Sequence, residues 1–334
     1  MEKIKLAVVI LNWNGERLLP QFLPSVIQHS NLPGVEVIVV DNCSTDASMR
    51  VMEEQFPEVK TLVLPENYGF AKGYNEALTQ IDATYYVLLN SDVEVAEFWL
   101  EPLINCLDCN ERVAAIQPKI RDYKRNEYFE YGGAAGGMLD KLGYPYCRGR
   151  VLNEVEKDLG QYDEIAHIFW ASGACLCIRA ELFHQHGGFD EHFWAHMEEI
   201  DLCWRLKNAG HEVVCLPESM VYHLGGGTLS YDNPKKLFLN FRNNLFMLYK
   251  NTPSHSLWGI ILLRMILDGA AALKFLFSHN VPGFKAVWKA HCAFYANLKR
   301  LHKQRKMLEK QAKPRWHTEQ EYFSFIISSL SGRL

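Results

Sequence analysis

The chain has no strong excess of charge of either sign. Its 35 Lys and Arg against 39 Asp and Glu leave a net −4, which argues against a general nucleic-acid binder. It has no G-x-G-x-x-G after its first apolar run. Gly69 and Gly73 come later and lack that fingerprint, so a nicotinamide or flavin site is disfavoured. Cys106 and Cys109 form a solitary C-x-x-C with neither a second pair nor histidines at ligand spacing, and read as two residues of a helix. The nine cysteines are scattered through apolar segments rather than framing a small domain, so most are expected to be reduced and buried in a cytoplasmic chain. Met1 to Lys5 runs directly into a strand pattern and leaves no room for a signal peptide. With 48% hydrophobic and 22% charged residues over 334 positions, the composition is that of a globular protein with a sizeable core, in one large or two modest domains.

What is present is an alternation of buried strands and helices. Leu6 to Leu11, Val35 to Val40, Lys60 to Leu64 and Tyr85 to Leu89 are apolar, β-branched or aromatic runs, the pattern of strands covered on both faces. Helical spacing follows the first at Leu18, Phe22, Leu23, Val26 and Ile27, with Pro20 and Pro24 predicting a late start or a kink. Four strands alternating with helices in ninety residues imply βαβ units and a parallel sheet, with Val113 to Gln117 as a further strand. The strand ends are polar. Asn12 and Asn67 follow two of them, Asp41 ends a third, and Asn90-Ser91-Asp92 ends the fourth. Open α/β sheets bind ligands at that edge, and acids mixed with amides suit a nucleoside and a divalent cation. The plainer reading of Asp92 is a cap for a helix near Glu97 to Asn105; likewise Ser44 or Thr45 would cap the helix after Asp41.

From 121 to 165 the alternation breaks into Gly- and Tyr-rich sequence, read either as loops shaping a substrate site or as a mobile surface insertion. Regular structure resumes over His167 to Arg179, and a helix from about Glu198 ends at Gly210. Glu198, Glu199 and Asp201 crowd its first turn behind Phe193 and Trp194. They read as a general-base cluster or as ordinary N-terminal charge. His223, ahead of the Gly225–Gly227 loop, is structural or the imidazole of a cation held by a diphosphate and one Asp.

These pieces resemble glycosyltransferase family 2, the inverting nucleotide-sugar transferases of GT-A fold, and in particular its rhamnosyltransferase-like bacterial branch. The resemblance runs from Leu6 to about Asn251. It rests on Val8 to Asn14, Val39 to Asp46, Asn67 to Ala71, Leu88 to Asp92, Trp170 to Ala174, Gly187 to Glu191 and Glu198 to Leu202. It implies an α/β fold with a mostly parallel central sheet, a catalytic domain over 1–232 (nucleotide half about 1–120, acceptor half about 121–232) and a helical extension over 233–334. It implies that Asp41 contacts the base, with Asn12 and Asn67 nearby, and that Asn90-Ser91-Asp92 takes the place of the D-x-D motif. Asp92 and His223 would hold Mg²⁺ or Mn²⁺, Glu199 would be the base with Glu198 and Asp201 in support, and Trp170, Ser172 and Gly173 would meet a sugar. Asn90 departs from the motif, leaving one carboxylate fewer for the cation. The donor would be a nucleoside-diphosphate sugar, such as dTDP-rhamnose or a UDP-sugar, and the acceptor a saccharide, commonly polyprenyl-linked. A nucleotidyltransferase, the competing enzyme class, wants a glycine- and basic-rich phosphate loop that Asn12-Trp13-Asn14-Gly15 does not supply. A glycan-binding module would need no acidic trio.

Past Pro234 a helix carries Arg242, Asn243 and Asn244 at its centre, Arg242 being a surface residue or a reach toward the diphosphate. Leu257 to Phe277 is the most apolar stretch, with Arg264, Asp268 and Lys274 toward one side. Those charges disfavour a spanning helix. The helix lies on the inner face of a membrane, or packs on the catalytic domain or a dimer partner. The basic run from Lys299 through Arg315 attracts anionic lipid or forms a solvated helical tail.

Overall fold

The computed structural model describes residues 4–151, 154–225 and 233–312. Strands β1 (Ile4–Asn12), β2 (Val35–Asp41), β3 (Lys60–Val63) and β4 (Ala83–Asn90) alternate with helices α1 (Leu19–His29), α2 (Ser48–Gln55) and α3 (Gly69–Leu78). Then come β5 (Val93–Val95), α4 (Leu100–Cys109) and β6 (Val113–Asp122). The Gly- and Tyr-rich segment forms a small antiparallel sheet of β7 (Gly137–Leu139), β8 (Pro145–Cys147), β9 (Arg150–Val151) and β10 (Glu154–Val155). The main sheet is completed by β11 (Ala166–His167), β12 (Cys175–Arg179) and β13 (Glu212–His223), with α5 (Ala180–Gln185) and α6 (Glu198–Asn208) between the last two. Three helices close the described chain: α7 (Pro234–Asn251), α8 (Leu257–Phe277) and α9 (Val281–Gln311).

The main sheet runs β11-β13-β6-β12-β4-β1-β2-β3, with β5 on β13. Pairing is parallel within β4-β1-β2-β3 and between β13 and β6, while β12 lies antiparallel between the two blocks. Side chains of β1 and β4 alternate between two apolar layers. Val9 and Leu88 pack in one, Val8 and Val87 in the other, so both faces of the strands are covered as their composition demands. Register sets the functional edge: Asn12 pairs with Asp41 and Leu11 with Asn90. The polar residues that end separate strands therefore arrive side by side.

Several local expectations change. Asp92 caps no helix, because β5 follows it and α4 starts only at Leu100. Neither Ser44 nor Thr45 caps α2, which begins at Ser48. Ser44 instead accepts from the Asn14 amide, and Asp46 accepts from the Ser48 amide. The 121–165 segment is no loose insertion, since Phe129, Ala134, Ala135 and Leu139 are fully buried in the core. Cys106 and Cys109 do lie on one helix, and all nine cysteines are free.

The boundary drawn at 232 falls beside residues outside the described set, and α7 beyond it is bonded tightly to what precedes it. Lys250 is buried and reaches Asp190 at 2.7 Å and Asp201 at 2.9 Å. Asp201, also bound by Arg205 and Asn251, thus ties α6 to α7. Burial alone would raise the Asp190 carboxyl, but His192, Lys250 and Arg300 hold it well below the usual range.

Removing the ammonium should strip both buried carboxylates of the cation they share, leaving Asp201 to Arg205 and Asp190 to the more distant Arg300 and to His192. Lys250→Met is expected to destabilise the protein by about 3–5 kcal/mol in urea denaturation; a loss under about 1 kcal/mol would show that the cluster is not a fastening.

Candidate active site

At the C-terminal edge of β1 and β2 the Asn12 amide donates to Asp41 and to Ser44, each at 3.3 Å, and Asp41 accepts from the Ser44 amide at 2.9 Å. Asn12 Oδ1 is buried without a partner. A Cβ on Gly15 would stand 2.0 Å from it, so only glycine fits there. Asn42, which sequence reasoning passed over, is the hinge of this corner. It accepts from the Tyr68 amide and donates to Asn67 Oδ1 and to the Gly69 carbonyl, fixing the turn that carries Asn67. Among the expected nucleotide contacts, Asn12, Asp41 and Asn67 therefore form one connected corner, with Asn67 exposed.

The second centre lies where the chain leaves β4 through Asp92 into β5, the short strand that pairs with β13. Because β13 pairs with β5, His223 falls opposite Val93, and its Nε2 lies 3.1 Å from Asp92 Oδ1. Its Nδ1 is 3.4 Å from Glu130 Oε1. Asn90 Nδ2 is 3.5 Å from Nε2, so the D-x-D departure places an amide, not a second carboxylate, beside the imidazole. Burial pushes the His223 pKa down, but the bonds to Asp92 and Glu130 and their charges outweigh it and raise it to about 10. With no ion beside it the imidazole keeps its proton between two acids, and a metal taken up on Nε2 would displace that proton. Glu130 carried no sequence signal, since it comes from the irregular segment. Among the described residues no three His, Cys, Asp or Glu side chains converge as a ready-made metal cage. A carboxylate and an imidazole held from behind by a second carboxylate nevertheless fit a divalent ion whose other ligands come from phosphate oxygens and water.

The acidic pair sits at the start of α6. Glu198 is buried and Glu199 partly so, and each keeps one buried oxygen with no partner. Burial lifts the proton affinity of both. Glu198 is raised well above the usual carboxyl range, further helped by the neighbouring Glu199 charge, and Glu199 is raised to about 7. The loop ahead of them is strained: Trp194, His196 and Met197 have φ of 64, 69 and 74°, where non-glycine residues are disfavoured. Asn243 on α7 donates to the carbonyls of Phe193, Ala195 and His196 at 3.0, 2.9 and 2.7 Å. Arg242 donates to those of His192 and Phe193. Arg242 is therefore neither a surface residue nor a phosphate ligand but a clamp.

A path of contacts joins the two centres. Glu130 accepts from the Gly132 amide, the Gly132 carbonyl accepts from Ser172 Oγ, and the Ala171 amide points at Cys203, one turn along α6 from Glu199. On the other flank the Trp194 carbonyl accepts from the Phe70 and Ala71 amides. Gly69, at φ 72°, leaves room for the Trp194 indole, which a Cβ would meet at 2.7 Å. Three expected site residues are spent elsewhere. Asp201 is fully buried in the Arg205–Lys250–Asn251 cluster, so it fastens α6 rather than meeting an acceptor. Trp170 is buried with its indole N–H on the Met138 carbonyl, and buried Ser172 gives its hydroxyl to Gly132. Both shape the wall from behind. Gly173 lies against Phe70.

The family profile described as Glycosyl transferase family 2 matches residues 7–184, more than half of the chain. N-acetylglucosaminyl-diphospho-decaprenol L-rhamnosyltransferase of Mycobacterium tuberculosis is 28% identical over 284 residues, covering 80% of this chain and 91% of that protein. The low-salt glycan biosynthesis hexosyltransferase Agl10 of Haloferax volcanii is 21% identical over 285 residues, covering 83% and 86%. Among solved structures, S. aureus TarS 1-349 in complex with UDP-GlcNAc superposes with a TM-score of 0.57 at 17% identity, over 98% of this chain and 92% of that one. GalNAc-T7 with UDP, GalNAc and Mn²⁺ gives 0.57 at 18% identity, over 75% and 48%. At such identities these structures establish the fold, which is GT-A.

The raised carboxyl of Glu199 has a stability consequence. A group whose folded pKa exceeds its unfolded value stabilises the fold below the unfolded pKa and loses that contribution as pH rises through the folded one. Glu199→Gln should therefore gain stability relative to wild type, on the order of 2 kcal/mol, as pH rises from about 4.5 to about 7. Urea denaturation of both proteins across that range would contradict the assignment if the difference stayed flat.

Proposed function

The chain belongs to glycosyl transferase family 2 and is a glycosyltransferase, and from that premise we propose that it moves a sugar from a nucleoside-diphosphate sugar to a saccharide carried on a polyprenyl diphosphate, with inversion at the anomeric carbon. The observation that carries this reading is Glu199: a carboxyl with a buried orphan oxygen and a proton affinity near neutrality, joined by contacts to the Asp92–His223 centre. A base with that affinity is matched to removing a hydroxyl proton at neutral pH.

In this mechanism Asn12, Asp41 and Asn67 receive the nucleoside, and Asn90 and Asp92 lie toward the ribose and diphosphate. Asp92 and His223 would hold Mg²⁺ or Mn²⁺. When bound there, the cation neutralises charge on the departing nucleoside diphosphate. Glu199 takes the proton of the acceptor hydroxyl as that oxygen attacks from the face opposite the leaving group, which inverts configuration. Glu198, kept protonated by burial, adds no second negative charge beside it. The alternative of a nucleotidyltransferase gains no support from the Asn14–Glu16 turn, whose amides are spent on Ser44, Ser48 and Asp46.

The lipid-linked acceptor is supported by the outer helices. On α8 two of the three charges, Arg264 and Asp268, face inward, while Lys274 stays exposed. Arg264 pairs with Asp268 at 2.8 Å, donates to the Leu142 carbonyl and stacks 3.6 Å over Tyr144, and His291 reaches Asp268. The apolar side is left outside, with Trp258, Leu262, Ile266 and Phe277 all exposed by 60% or more. No described helix is long and apolar enough to cross a membrane, so the face suits peripheral contact at the headgroup boundary. Within the basic run, Arg305 is buried on carbonyls of α7 while Lys299, Lys303 and Lys306 stay exposed. Lys313 and Arg315 lie outside the described residues.

Glu199→Gln is expected to lower turnover by about 10²–10⁴ while nucleotide binding persists, and near-normal turnover would remove Glu199 from the chemistry. Asp92→Ala should abolish the cation dependence of nucleotide binding in calorimetry; an unchanged cation effect would place the ion elsewhere. For the outer face, wild type should float with phosphatidylglycerol vesicles and the Trp258→Ser, Leu262→Ser, Ile266→Ser triple variant should not. Equal flotation, or a wild-type dimer that the triple variant splits, would contradict a membrane role.

A further inference from the structure

A groove of about 630 Å³ opens between the first turns of α7 and α9. Its floor is apolar, built from Phe238, Val281 and Ala286, and Lys235, Lys285 and Lys289 stand around it, all three exposed. The two helices run parallel: the groove joins their beginnings, Arg300 stacks on Phe246, and Arg305 reaches the Thr252 carbonyl. Both therefore begin at the groove, and their peptide dipoles add positive potential to that of the lysines. Among the described residues no lining side chain offers an acceptor to a nucleobase or to sugar hydroxyls, unlike the Asn12–Asp41–Asn67 corner.

The groove is continuous with two surfaces already described. At one end Lys235 reaches out to place its ammonium 3.6 Å from the centre of the Trp194 ring, four residues ahead of Glu198 and in contact with the Gly69 turn. At the other, exposed Val281 and neighbouring Phe277 lead onto the apolar outer face of α8. A ligand matching this surface carries concentrated negative charge next to hydrocarbon, with its third part pointing toward Trp194.

Resting on the acceptor reading above, we propose that this groove binds the lipid end of the acceptor: Lys235, Lys285 and Lys289 hold its diphosphate, the Phe238–Val281–Ala286 floor takes the first isoprene units, and the attached saccharide extends past Trp194 toward Glu199. Ammonium groups act here as point charges on the phosphate oxygens, and the apolar floor excludes water from the proximal hydrocarbon. The hydrocarbon beyond the groove continues across the exposed side of α8 into the bilayer.

The test is calorimetry on the full chain in dodecyl maltoside with three probes: geranylgeranyl diphosphate, inorganic diphosphate and geranylgeraniol. Wild type should bind geranylgeranyl diphosphate at least about tenfold more tightly than either half alone. The Lys235→Gln, Lys285→Gln, Lys289→Gln variant should lose at least about tenfold, and the same three positions as Arg should keep most of the affinity. The lysines are exposed, so a melting curve suffices to show that the variants fold. Unchanged affinity in the Gln variant overturns the proposal. So does equal binding of inorganic diphosphate, which would mark a free-phosphate site, or of geranylgeraniol, which would mark a plain apolar groove. Titration of the same wild-type sample with nucleoside diphosphates and Mn²⁺ judges the transferase reading separately. Its failure would count against that reading, while dependence on the lysines judges the groove.

Discussion

Asn243 gives the two protons of one side-chain amide to three carbonyls of the turn before α6, and the placement of the acidic pair depends on that bond set. Trp194, His196 and Met197 all hold left-handed backbone angles, each worth roughly 1–3 kcal/mol of strain for a non-glycine residue. Such a turn persists only where its surroundings over-determine it. The surroundings are supplied by α7, through Asn243, Arg242 and the Lys250 ammonium shared by Asp190 and Asp201. The helix that fixes the turn bearing the acidic pair therefore lies beyond the stretch matched by the family profile, and the candidate site depends on the C-terminal helices as well as on the sheet.

The two acidic centres are treated in opposite ways. Asp92 is given a cationic partner, His223, itself braced by Glu130. Among the described residues Glu198 and Glu199 are given none, and burial raises the proton affinity of both. An Asp–His pair that can give up the imidazole proton in exchange for a metal ion suits a place where a cation and a diphosphate meet. A carboxylate denied compensation suits the gain and loss of a proton near pH 7. The difference arises from chain topology. The sheet edge receives β13 and its histidine, whereas among the described residues nothing bonds the buried oxygens of Glu198 and Glu199 at the start of α6.

Much of this was legible in the sequence. The four leading strands announced themselves as β-branched runs, and the polar residues at their ends converge because parallel register leaves them no choice. Asn42, Glu130 and Asn243 were not legible, since each acts on a residue between 25 and 93 positions away or on carbonyls about 50 away and has no local pattern. Trp170 and Ser172 sit in a segment with the right sequence character for a sugar wall, yet packing against Gly137 and Gly132 turns them inward. Helical periodicity revealed that α8 has a charged side and an apolar side. It could not reveal that Arg264 and Asp268 face the protein while Lys274 does not, because that follows from the Leu142 carbonyl and the Tyr144 ring waiting for Arg264.

The central claim is that one cleft joins a cation-and-diphosphate site at Asp92 and His223 to a proton acceptor at Glu199. A crystal structure with a nucleoside diphosphate and Mn²⁺, using the anomalous signal of manganese to locate the ion, tests it most directly. The account predicts the ion on Asp92 and the His223 imidazole, the base against Asp41, and the Glu199 carboxylate facing open space beyond the terminal phosphate. Manganese bound away from Asp92, or Glu199 walled off from the bound nucleotide, would contradict it.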